Sequence, residues 1–136
     1  MLRIALGAFM VLHGLVHLWP VTLSLGLTEF KPEMGWSGNS WLFTGLLGEP
    51  ATRALASVAF IVATLVFVLG GVGILVKAGW WRPVLVGAAV ISTASLVLFW
   101  DGGMQQLVEK GLLGVLINVA ILVVLLVFKW PLEETL

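Results

Sequence analysis

Cysteine is absent from the 136 residues, and charge is scarce: charged side chains make up 10% of the chain against 60% apolar residues. Without a thiol there can be no disulfide, thiolate zinc site, iron–sulfur cluster or c-type haem attachment. The scarcity of charge excludes an ordinary soluble domain, whose surface draws on about 25% charged residues. A surface built from this composition suits lipid. Basic and acidic residues balance at a net charge of zero. That removes nucleic acid as a partner, since no basic footprint exists, and it leaves no polybasic cluster for anionic lipid. The apolar runs hold no carboxylate in their middles. No nucleophile–base triad, phosphate loop or dinucleotide fingerprint appears. Gly70, Gly71 and Gly73 close an apolar run rather than follow a strand. Neither an alternating β-barrel pattern nor an internal repeat is present.

What the chain does have is length in its apolar segments. A membrane span needs about 20 such residues at ~1.5 Å each. Four stretches qualify, at about 2–25, 51–76, 81–100 and 106–128. Pro20 is placed to kink or end the first. Pro50 and Pro83 fall in first turns, where a missing N–H is harmless, and Trp130 with Pro131 closes the last. Trp19, Trp80, Trp81, Trp100 and Trp130 sit at or near these ends, the depth that indole prefers. Arg3 and the first run could be a signal peptide. No small-x-small cleavage site follows, only His13, His17, Trp19 and Pro20, so the run reads as a retained helix. Short connections at Lys77–Trp81 and Asp101–Gln105 make neighbours antiparallel. The expectation is one all-α domain over 1–136, an integral membrane antiparallel bundle of four transmembrane helices. Both termini then share the side of Arg3, Lys77, Arg82 and Lys129. The opposite side holds Lys31, Arg53 and Lys110, so the positive-inside rule gives N-in and C-in.

The connection from about Gly26 to Glu49 is the least regular segment. Asn39 or Ser40 can cap a short helix through Leu47, stopped by Gly48. With Trp41, Leu42, Phe43, Leu46 and Leu47, that helix would lie on the membrane surface or form a lid over the bundle.

Polar groups inside the apolar runs are few: His13 and His17, Thr64, Ser92, Thr93 and Ser95, and Asn118. Counted from the helix ends, His13, Thr64, Ser92 and Asn118 fall near one depth, which predicts a buried polar layer. Ordinary interhelical hydrogen bonding, at roughly 0.6–2 kcal/mol each, explains such a layer; a pocket or proton path would use the same groups. The i, i+4 spacing of His13 and His17 puts both imidazoles on one face. The pair could ligate a metal, but Gly14 stands where zinc proteases carry Glu, and two ligands are too few. Asp101 is the nearest carboxylate and is expected to approach His17. Haem would need a second axial ligand from another subunit. A quinone or a lipid headgroup could hydrogen-bond the same imidazoles. The candidate cofactor-binding set is therefore His13 and His17, with Asn118, Thr64, Ser92 and Asp101 around them. At the outer rim an Arg53–Asp101 pair is expected across helix ends. Small residues line the later helices: Ala56, Ala59, Ala63, Gly70, Gly71 and Gly73; Gly87, Ala88, Ala89, Ser92 and Ser95; Gly111 and Gly114. Such stripes let helices approach closely, within the bundle or against a partner.

With His13-Gly14-Leu15-Val16-His17-Leu18, Trp100-Asp101 and Asn118 in view, the chain resembles small prokaryotic four-helix membrane proteins with a similar first-helix motif. More loosely it looks like the DoxX-type membrane proteins, whose name comes from a subunit of a quinone-linked oxidase. The resemblance implies a prokaryotic cytoplasmic membrane and an accessory subunit, and it assigns no catalytic residue. Three functional readings follow. The favoured one is a non-catalytic accessory subunit of a larger membrane complex, respiratory or otherwise redox, with lipid and other subunits as partners. The alternatives are a haem-, metal- or quinone-binding redox protein using His13 and His17, and a homo-oligomeric carrier or channel.

Overall fold

The structure, a computed structural model, describes residues 1–136 except the side chain of Pro32. Among the described residues all regular elements are helical. Helices α1 (Leu2–Val16) and α2 (Leu18–Ser24) form one bent rod. A loop with a 3-10 turn at Pro32–Met34 leads to the short α3 (Phe43–Leu47). Then come α4 (Glu49–Leu75), α5 (Trp81–Leu98) and α6 (Leu112–Leu122), the last running on as a π turn over Val123–Val127. Three helical stretches are long and apolar enough to cross a membrane: Leu2–Ser24, Glu49–Leu75 and Trp81–Leu98; Leu112–Val127 is apolar but shorter.

The bend in the first rod has a local cause. Pro20 has no N–H to offer the Val16 carbonyl, and the helix tightens one turn earlier. There His17 N–H bonds to Gly14 O at 3.1 Å, an i→i−3 contact. The expected helix over 106–128 starts late, at Leu112. Gln106 (φ 53°) and Gly111 (φ 105°) adopt left-handed backbone, and Lys110 is drawn back onto Asp101 at 3.0 Å. That pair and the i, i+4 pair Glu49–Arg53 at 2.9 Å replace the expected Arg53–Asp101 pair. Each cation takes the carboxylate that its own turn brings near.

Packing runs in the order α1–α4–α5–α6, with α2 and α3 also on α4. Close approach depends on small residues. A Cβ added at Gly14 would lie 2.7 Å from Phe67 Cβ, and one at Gly71 would lie 2.8 Å from Gly7 O. Gly70 meets Leu85, and Gly73 meets Trp80 and Trp81. Ala56, Ala63, Ala88 and Ala89 are buried. These stripes are used inside the fold rather than kept for a partner; Gly87, with nothing near it, is the exception. Two apolar clusters result. One gathers Phe67, Ile74, Trp81, Leu85, Ile121 and Leu125. The other gathers Val21, Leu23, Trp36, Phe60 and Phe99 at the loop end.

The loop caps α5. The last carbonyls of a helix have no partner of their own, and in an apolar setting each must find one. Val97 O accepts from Trp41 Nε1 (2.8 Å), Leu98 O from the Ser40 hydroxyl (2.5 Å), Phe99 O from Trp36 Nε1 (2.6 Å) and Trp100 O from Trp41 N–H (2.7 Å). Ser40 Oγ also accepts the N–H groups of Leu42 and Phe43, which starts α3, and Gly48 (φ 81°) ends it. The connection is thus a lid fastened to the end of α5, and Leu46 and Leu47 of α3 face outward.

The glycine contacts separate two substitutions. Gly14→Ala drives a Cβ into Phe67 and should destabilise by about 1–3 kcal/mol. Gly87→Ala meets nothing within 4 Å and should be neutral or stabilise by up to about 1 kcal/mol. Thermal unfolding in detergent checks both; a Gly14→Ala protein as stable as the parent contradicts the packing described.

Candidate functional site

His13 and His17 bring the sequence motif to mid-bundle, between the two apolar clusters. The tightened turn leaves the His13 carbonyl without the N–H of residue 17, and the His17 side chain supplies a donor instead. His17 Nδ1 lies 3.0 Å from His13 O. A carbonyl only accepts, so Nδ1 carries the hydrogen. In the neutral imidazole Nε2 is then an acceptor. It lies 2.5 Å from Ser92 Oγ, so the hydroxyl donates to it. Ser92 Oγ in turn accepts from Asn118 Nδ2 at 2.7 Å. Asn118 Oδ1 is left to accept from His13 Nε2 at 3.0 Å. Four side chains from α1, the His17 turn, α5 and α6 close a one-way ring that begins and ends on His13. All four are at least nine-tenths buried: His13 8%, His17 5%, Ser92 0% and Asn118 0% exposed. A charged His17 would put a hydrogen on Nε2, would leave the Ser92 hydroxyl without an acceptor unless the Asn118 amide turned over, and would bury a charge with no counter-charge, which is costly. The neutral form satisfies every member.

Aromatic rings fix the two imidazoles. His13 stacks on Phe9 (5.9 Å between centroids) and meets Phe67 edge-on (4.8 Å); His17 stacks on Phe67 at 5.6 Å. The imidazoles are 5.4 Å apart and nearly perpendicular, at 89°. Each Nε2 points to a different partner, so the pair does not converge on one point. Among the described residues no three His, Asp or Glu side chains cluster as a metal site.

The remaining candidates stand apart from the ring. Thr64 Oγ1 bonds to Phe60 O on its own helix at 2.9 Å, as a hydroxyl in an apolar helix commonly does. Ser95 does likewise to Ile91 O. Asp101 does not approach His17: it binds Lys110 and accepts the Gly103 N–H at 2.8 Å.

The ring borders a cleft whose place the sequence did not give. Helices α1 and α6 do not pack along their length, and a cleft of about 270 Å³ opens between them. His13 and His17 line it with Trp19, Trp36, Phe60 and Phe99, and Lys110, Gly111 and Gly114 form the facing wall. The half of the same seam nearer the chain termini is an apolar groove lined by Leu6, Phe9, Ile117, Ile121 and Val124. Lys110 and Gly114 stood out in the sequence only as a cation opposite the termini and a stripe residue, and Trp36 lies in the irregular connection. Their meeting depends on the late start of α6.

Comparison with protein-family models, with curated proteins and with solved structures finds no match for the chain.

The ring makes Ser92 and Asn118 interdependent. Ser92→Ala and Asn118→Leu should each destabilise by about 1–2 kcal/mol. The double variant should lose clearly less than the sum, because either change already opens the ring. Thr64→Val, outside the ring, should shift stability by less than about 0.5 kcal/mol. Unfolding in detergent measures all four proteins; strict additivity at Ser92 and Asn118 contradicts the closed ring.

Proposed function

We propose that the protein crosses the bilayer four times, with both termini on the cytoplasmic side, and holds a lipophilic small molecule in the cleft between α1 and α6 without catalytic chemistry of its own. Three helices meet the length requirement outright. The fourth has 11 α-helical and 5 π-turn residues, a rise of about 24 Å at ~1.5 Å each. A span this short is accommodated by local thinning of the bilayer or by its flanking residues, here Lys129 and Trp130. Leu12, Val16, Leu65, Val90 and Leu116, all exposed, would face acyl chains.

The observation that carries the reading is a buried polar ring whose two histidines line a lateral apolar cleft, with Ser92 and Asn118 behind them. Ionisable groups at such depth mark functional sites by default, and an apolar pocket with a few converging polar groups is the usual form of a ligand site. A second reading, an accessory subunit of a larger membrane complex, draws on the half of the seam nearer the chain termini. There an apolar groove would accept a partner's helix. The ring closes on itself rather than running from end to end, which gives no support to a carrier or channel.

Native mass spectrometry of protein extracted mildly from its own membranes separates these readings. The proposal expects a single lipophilic adduct on the wild type and none on Ile117→Trp, which fills the cleft. Wild-type protein free of adduct and bound within a larger assembly contradicts the proposal and favours the subunit reading.

A further inference from the structure

We propose that the cleft selects a lipophile whose head is a phenolic hydroxyl, and that this hydroxyl donates to His13 Nδ1. The inference rests on the cleft-binding reading above and specifies what the cleft takes.

The ring dictates the chemistry on offer. The His13 carbonyl fixes the hydrogen on His17 Nδ1, and in the neutral imidazole every later bond then has one direction only. The last bond places a hydrogen on His13 Nε2. Neutral His13 is thereby held as the Nε2–H tautomer, and its Nδ1 presents a bare lone pair. No group of the described protein donates to it. The buried polar atoms that lack both a partner and any exposure are Arg53 Nε and Thr93 Oγ1; His13 Nδ1 is not one of them. It therefore keeps a little exposure, on a residue that lines the cleft and is only 8% exposed. A lone pair in an apolar site calls for a neutral donor, since an ionised head would be costly to bury there. An oxidised quinone, an ester or a carboxylate offers only acceptors to that point, so lone pair would face lone pair. A hydroxyl meets it. Trp19, Trp36, Phe60 and Phe99 on the surrounding wall favour a head that is itself an aromatic ring, through offset or edge-on stacking. No electron or proton transfer is part of this assignment; the claim concerns which head binds.

The test uses the full chain in phosphatidylcholine nanodiscs, isotope-labelled at the histidine nitrogens. With two histidines in the protein, only four ring nitrogens appear in the spectrum. The probes are para-nonylphenol and its methyl ether, alike in shape and differing in the donor. The phenol should shift one unprotonated ring nitrogen and leave the protonated ones in place. It should bind about three- to tenfold more tightly than the ether, the worth of one hydrogen bond. Ile117→Trp should abolish binding of both probes while its own four ring nitrogens keep their wild-type positions. Equal affinities with no shifted nitrogen overturn the hydroxyl assignment and leave the cleft as a site. Failure of both probes to bind the wild type, or binding that survives Ile117→Trp, overturns the assignment and the cleft reading together.

Discussion

The carbonyl of His13 has lost its normal partner. Pro20 cannot donate within α2, the rod tightens at His17, and the amide that would have reached residue 13 turns to Gly14 instead. A bare carbonyl in an apolar interior is costly, of the order of a lost hydrogen bond. The His17 imidazole answers it from one turn away. The rest of the ring follows from that repair. It fixes which His17 nitrogen is protonated, hence what Ser92 must do, hence the orientation of the Asn118 amide and the tautomer of His13. Without the proline the i, i+4 histidines would have no such obligation.

The rest of the fold serves to bring three other groups to that point. Gly7, Gly14 and Gly71 let α1 lie close on α4. Ala88 and Ala89, fully buried, do the same for α5 just before Ser92. The lid holds α5 in place by taking the carbonyls of residues 97 to 100, a termination that no side chain of α5 itself could supply. At the other end Arg82 does comparable work for the last helix, donating to Leu125 O and Pro131 O. Helix α6 is the short member, and its late start at Leu112 keeps it from packing along α1. The cleft is the consequence, with the two histidines of the ring on its wall.

Much of this was legible in the sequence where one residue type has one physical use. Ser40 as a cap, Gly48 as a stop, Pro20 as a bend and the small residues as contact points all follow from local chemistry. So does the polar depth shared by His13, Ser92 and Asn118. Thr64 shows the limit of depth counting: a hydroxyl can satisfy itself on its own helix, and sequence does not say which way it turns. The rim ion pairs were misassigned for a related reason. Arg53, Glu49, Asp101 and Lys110 offer several pairings within reach, and backbone folding through Gln106 and Gly111 decided among them. That stretch reads as a helix by composition, and only tertiary contact unwinds it. The cleft was invisible because it is made by what α6 lacks.

The account stands on a one-way ring, and the histidine ring nitrogens report on it directly. Nitrogen NMR of the ligand-free protein in lipid should find a hydrogen on Nδ1 and none on Nε2 of His17, and a hydrogen on Nε2 of His13. A hydrogen on Nε2 of His17, or none on Nε2 of His13, would contradict it.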